Sequence, residues 1–212
     1  VVNVVPDYSR LWVRVRDTKR TGMMPVYERI KAMAEGAAIM ADVDYKITLI
    51  SGIYEMLVNR RGGEVMQNNL ELLGPLTYTT EEEAFAKKIQ EATGKPQVGM
   101  DASIHALLPT AEHPMGGSTD VADVSWNVPN INLSVTVAPK DTPWHSWAVV
   151  ACAGMSIGHK GMVHAAKAMS MTMVDLFQQP KLVQEIKNEF KERKGDEVYT
   201  PMIEGPAPLQ GH

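Results

Sequence analysis

The chain has 212 residues, 44% of them hydrophobic and 22% charged, which excludes disorder as its main state and gives length for one large domain or two small ones. Its net charge is -4 with Lys and Arg spread along the sequence, so it carries no electrostatic footprint for nucleic acid. No apolar run approaches the ~20 residues of a membrane-spanning helix, and a single cysteine, Cys152, excludes an internal disulfide and a cysteine-built zinc site and fits a reducing, cytoplasmic compartment.

Val1 to Val5 reads as a strand, and a chain that opens inside an element is expected to be a piece of a longer protein. Pro6-Asp7 breaks that run. Leu11 to Arg16 then alternates, with Leu11, Val13 and Val15 on one side and Trp12, Arg14 and Arg16 on the other, the pattern of a half-buried strand. From Pro25, the residues Val26, Ile30, Met33, Ala37 and Met40 recur at helical spacing and predict one inward face. Val43, Tyr45, Ile47 and Leu49 alternate again. Strand, helix and strand make up part of a small α+β sandwich. Gly52 and Asn59 to Gly63 mark a boundary, which divides the chain into residues 1–57 and 58–212.

In the second part, Glu64 to Leu73 is a predicted helix closed by Gly74-Pro75. Thr79-Thr80-Glu81-Glu82 signals the N-terminus of another, ending near Ala92. Lys95 to Trp126 has little periodicity, and a loop of that length inside a domain is commonly functional or mobile. Ile131 to Val137 alternates as a strand. Ser146 to Phe177 reads as mostly helical, interrupted at Gly158 and Gly161. Pro180 starts a last helix, with Val183, Ile186 and Phe190 inward, closed by Gly195. Thr200 to His212 reads as a tail wrapping the surface.

Few residues offer chemistry. His145 follows a predicted strand in a Pro-Trp-His-Ser-Trp turn, where an imidazole can be aimed into a cleft. A lone histidine is nonetheless more often a packed or surface residue than a ligand. His159 and His164 are five apart, about 140° around a helix, and do not form the i, i+4 pair of a helical zinc site. His105 and His113 carry no pattern. In Met115-Gly-Gly-Ser-Thr-Asp120, Gly116 and Gly117 allow close backbone approach to a ligand, and Ser118 and Thr119 add hydroxyls that could hold a carboxylate or oxyanion; a plain turn is the alternative. Arg16 has the planar fork suited to a carboxylate, although a solvated charge is the common fate of such an arginine. Cys152, between small residues and without a base beside it, reads as core.

These motifs together resemble a known family. Asn3-Val-Val-Pro-Asp7 with Arg16 thirteen residues after Asn3, then Gly116-Gly-Ser-Thr-Asp120, then Thr142-Pro-Trp-His-Ser-Trp147, resemble in order the lid and catalytic motifs of the M20 metallopeptidases. Val149 to Gly161 resembles the aminobenzoyl-glutamate amidohydrolase branch of that family. The resemblance implies an α/β catalytic domain, here its C-terminal portion, and part of an α+β lid that mediates homodimerisation. It implies two divalent metal ions, zinc or manganese, and hydrolysis of the amide bond of an N-acyl amino acid or a dipeptide. By the same resemblance His145 is a metal ligand. Asn3, Arg16, Gly117, Ser118 and Thr119 would grip the substrate carboxylate, with the role of Asp120 open. The family's other ligands and its general-base glutamate belong to motifs absent here. Glu81-Glu82-Glu83 is a helix start and not the catalytic pair. No catalytic residue is therefore expected in this chain, which alone should be inactive, bind no metal, leave a sheet edge exposed and associate into a dimer or larger species through exposed apolar surface. The competing expectation is a non-catalytic fragment or paralogue acting as a dimerisation or carboxylate-binding module.

Overall fold

The computed structural model describes residues 3–108, 117–203 and 205. Seven helices are described: α1 (Arg20–Ala41), α2 (Arg60–Leu73), α3 (Thr80–Ala92), α4 (Val121–Ser125), α5 (Trp147–Ala153), α6 (Ser156–Gln178) and α7 (Pro180–Lys194). The chain forms two compact units. One comprises the described residues of Val1–Met56, Ala111–Val124 and Val198–His212; the other is Leu57–Thr110 with Ser125–Glu197.

In the first unit, α1 begins at Arg20, before Pro25, and its first backbone N–H donates to the Glu55 carboxylate at 2.9 Å. Its predicted inward face is not the one covered. Ala38 is its one buried residue, while Val26, Met33 and Met40 are exposed. The returning segment at Val198–Met202 is held on Tyr54. The Tyr54 hydroxyl donates to the Thr200 carbonyl at 3.2 Å and the Thr200 N–H donates back at 3.1 Å. Arg20 lies 4.3 Å from the centroid of the Tyr54 ring, and Tyr199 packs on that ring at 5.0 Å.

The second unit has the denser core. α2 packs on α6 and α7, α5 on α6, and α6 on α7. Val65, Leu182 and Ile186 form one apolar cluster, flanked by Ile131 and Leu176. Ile89, Ala148 and Cys152 form another, flanked by Phe85, Ala138 and Ala151. Asn59 and Glu189 pair their polar groups between the helices, as burial away from water requires. The Asn59 side chain accepts from Gly62 N–H at 2.8 Å, capping α2, and donates to the Ile186 carbonyl at 2.9 Å. Glu189 of α7 accepts the N–H groups of Arg60 and Arg61 at 2.8 and 2.6 Å. Burial pushes that carboxyl up, and these two donors together with Arg193 outweigh it, leaving it below its ordinary range.

Three further expectations need correction. No strand occurs among the described residues, so Asn3–Val5, Leu11–Arg16, Val43–Leu49 and Ile131–Val137 run without a ladder; Val1 and Val2 lie outside the described residues. Leu11 is 90% and Trp12 76% exposed, and on the apolar side only Val15 is half-buried. Alternation supplies faces, but a strand also needs a neighbouring strand to form a ladder, and no such ladder occurs among the described residues. Next, Gly158 and Gly161 do not interrupt a helix. α6 runs through both, and the break comes at Gly154-Met155. The reason is close packing: a Cβ on Gly161 would lie 2.6 Å from the Thr136 carbonyl oxygen, and one on Gly158 would lie 2.5 Å from that of Ala153. Finally, α7 turns Leu182 and Ile186 inward while Val183 and Phe190 are only half-buried.

Candidate functional site

His145 sits in the turn between the extended segment ending at Pro139 and the start of α5. The turn is built from its own polar groups. The Thr142 N–H and hydroxyl both donate to the Pro139 carbonyl, at 3.2 and 2.7 Å. The Ser146 hydroxyl donates to the Pro143 carbonyl at 2.6 Å. Asp141 and His145 both have φ of 60°, left-handed conformations that favour glycine. The His145 side chain is exposed at this bend, so the imidazole is presented to solvent.

The expected carboxylate-binding residues belong to the other unit. Asn3 lies in a turn and is exposed; Arg16 is exposed. Gly116 lies outside the described residues, while Gly117, Ser118, Thr119 and Asp120 are exposed and lead into α4. There the Thr119 hydroxyl accepts from Val121 N–H at 3.3 Å, and the Thr119 carbonyl from Ala122 N–H at 3.1 Å, so Thr119 works as a helix start. No hydrogen bond among the described residues joins Asn3 or Arg16 to this loop.

A binuclear metal centre needs three or more ligands for each ion. No group of three or more His, Cys, Asp or Glu side chains that could hold a metal gathers among the described residues. These residues therefore do not by themselves fit a metal pair. Neither histidine of α6 changes this, His105 pairs with Asp101 at 3.4 Å, and His113 lies outside the described residues. Cys152 is fully buried, and burial pushes its thiol up, as suits a core residue.

Sequence reasoning missed one electrostatic cluster. Lys160 on α6 donates to Glu82 on α3 at 2.5 Å and to the Thr77 carbonyl at 2.9 Å. The Lys160 ammonium, a hydrogen bond from Ser156 and the Thr79 N–H hold the Glu82 carboxyl down at about 2. Tyr78 lies beside the ammonium, its ring centroid 5.6 Å away, and its enclosed hydroxyl has no partner among the described residues. Burial, with Glu82, Glu83 and Asp101 nearby, pushes that hydroxyl up to about 12. The sequence marks Glu82 only as the capping-box residue of α3, a role it also fills, accepting from Thr79 N–H at 2.7 Å. Nothing local marks a partner 78 positions away.

Among characterised proteins, the chain is similar to part of a hydrolase. That relative is a subunit of the p-aminobenzoyl-glutamate hydrolase of Escherichia coli (strain K12), 30% identical over 235 aligned residues, covering 98% of this chain and 49% of the relative. The chain thus spans about half the length of the curated relative it matches. No family model matches the chain, and no solved structure does. No helix among the described residues is long and apolar enough to cross a membrane.

Proposed function

We propose that this chain is the C-terminal part of a metal-dependent amidohydrolase of the M20 type, which cleaves the amide bond of an N-acyl amino acid such as an aminobenzoyl-glutamate. The observation that carries this reading is the 30% identity to a hydrolase subunit along 98% of the chain. The exposed, left-handed His145 supports it, because an unfavourable backbone conformation at a presented imidazole is a mark of functional sites. In this reading His145 is one metal ligand, and polypeptide beyond this chain supplies the other ligands and the general base. The metal, zinc or manganese, supplies Lewis-acid activation when bound. Arg16 and Asn3 contribute carboxylate recognition, with Gly117, Ser118 and Thr119 in the same role. The assembly is a homodimer with an α/β catalytic domain, and the alternating runs at Leu11–Arg16 and Ile131–Val137 find their strand partners in it.

The test expresses the complete open reading frame and follows release of aminobenzoate from aminobenzoyl-glutamate with and without a chelator. Hydrolysis that the chelator abolishes, and that His145→Gln lowers by about a thousandfold or more, is the expected result. Hydrolysis by the isolated 212-residue chain at the same rate refutes the reading that part of the site lies elsewhere. One observation favours a second reading: the lack of any metal-ligand cluster among the described residues fits a non-catalytic, carboxylate-binding module. Complete absence of hydrolysis, with saturable glutamate binding that Arg16→Met abolishes, would establish that reading instead.

A further inference from the structure

Gln90 is a polar side chain with no solvent exposure on the inward face of α3. Both ends of its amide are bonded. The nitrogen donates to the Gly99 carbonyl at 3.1 Å and to the Lys140 carbonyl at 3.0 Å, and the oxygen accepts from Gly99 N–H at 2.8 Å. Lys140 N–H in turn donates to the Gly99 carbonyl at 3.2 Å. One amide thus ties two separate backbone segments to α3, and one of them is the entrance to the turn that carries His145.

The exit of that turn is held by the same helix. Ile89, beside Gln90, packs with Ala148 and Cys152 of α5, and Phe85 one turn earlier packs against the same cluster. Ala138, just ahead of the turn, joins it. Between the two anchors stand the left-handed Asp141 and His145. Such residues persist only where the surroundings over-determine them.

We propose that Gln90 is a positioning residue for His145, setting the conformation of the 139–146 turn through the Lys140 carbonyl. Its importance for catalysis rests on the reading of His145 as a site residue; its control of the turn does not. An apolar side chain of the same length fills the space but leaves the Lys140 carbonyl and the Gly99 N–H without the amide, while the Gly99 carbonyl keeps only the Lys140 N–H. The turn should then sample other conformations, with no group of the site itself altered.

The experiment uses the 212-residue chain, the isosteric Gln90→Met and, as a destabilised control in the other apolar cluster, Val65→Ala. In Gln90→Met, amide exchange at Lys140 and Thr142 should quicken about tenfold relative to α7, and the His145 Hε1 resonance should shift or split. Val65→Ala should leave that resonance as in the wild type. A folded Gln90→Met with wild-type exchange and resonance overturns the proposal, as does the same change in Val65→Ala. If Gln90→Met does not fold, the wild-type chain decides. The Gln90 side-chain amide protons should exchange about a hundredfold more slowly than those of exposed Gln184, and equal rates overturn the proposal. Activity separates the two readings: a His145→Gln enzyme that hydrolyses normally removes His145 from the site and leaves the turn measurements standing.

Discussion

Replacing Lys160 by Met isolates the ion pair that joins α3 to α6. Met keeps most of the aliphatic stem and removes only the ammonium. Glu82 is 7% exposed and would then be buried beside the Ser156 hydroxyl and the Thr79 N–H without its cation. A carboxyl lowered from 4.5 to about 2 corresponds to about 3 kcal/mol in favour of its charged form. Lys160 supplies the largest part of this, but its side chain is 34% exposed. Water screens the pair, and the other two donors remain, so the loss at neutral pH should be about 1–2 kcal/mol. The pH dependence fixes the cause. A carboxyl whose folded pKa is depressed stabilises the fold above its unfolded value and loses that contribution as pH falls toward the folded one. Urea unfolding of wild type and Lys160→Met should therefore differ at about pH 7 and converge as pH falls from about 4.5 toward 2. A gap of constant size down to the lowest pH would show that packing, and not the ion pair, is lost. No gap at neutral pH would refute the buried pair itself.

Further outcomes follow from the same geometry. Asn59→Ala removes the cap of α2 together with a second buried bond, to the Ile186 carbonyl of α7, and should cost about 2 kcal/mol in urea unfolding, more than an exposed cap alone. Gly161→Ala should lower stability by about 1–3 kcal/mol despite the better helix propensity of alanine, because its Cβ meets the Thr136 carbonyl oxygen at 2.6 Å. His145→Gly relieves a left-handed residue and should leave thermal stability unchanged or raise it by about 1 kcal/mol, while abolishing chelator-sensitive hydrolysis by the complete enzyme.

The helices of the second unit were legible because their signals are local. Thr79 and Glu82 form the capping box that their spacing announces, Pro180 opens α7, and Gly195 closes it. What the sequence could not disclose depends on distant groups. Gly158 and Gly161 look like breaks when only their own segment is considered. They are helical where α6 lies against the Thr136 backbone, the Val137 side chain and the end of α5. The alternating runs predicted pairing, and alternation carries no information about whether a neighbour is present. Gln90 did leave a trace: a glutamine next to Ile89 on a face that also holds Ala86 is an inward polar residue asking for partners. The partners, Gly99 and Lys140, could not be named from it.

The candidate site shows the same division between local and distant causes. The order of the motifs pointed to His145, but its conformation depends on the rest of the unit. A left-handed histidine costs about 1–2 kcal/mol against the alternatives open to it, and Asp141 adds a second such residue in the same turn. Glycine at either position would remove that cost, so stability alone does not account for a histidine here. The surrounding bonds are arranged to hold the turn in spite of it. Thr142 and Ser146 close it internally, Gln90 fixes its entrance, and the Ile89 cluster fixes its exit. On the proposed reading, this scaffold satisfies its buried amide and fills its core around the turn, yet leaves the turn's imidazole exposed, so as to hold it for groups outside the scaffold. In the reading proposed above that chemistry is amide hydrolysis, and the groups His145 would work with belong to the part of such an enzyme that corresponds to the stretch of the relative this chain does not cover.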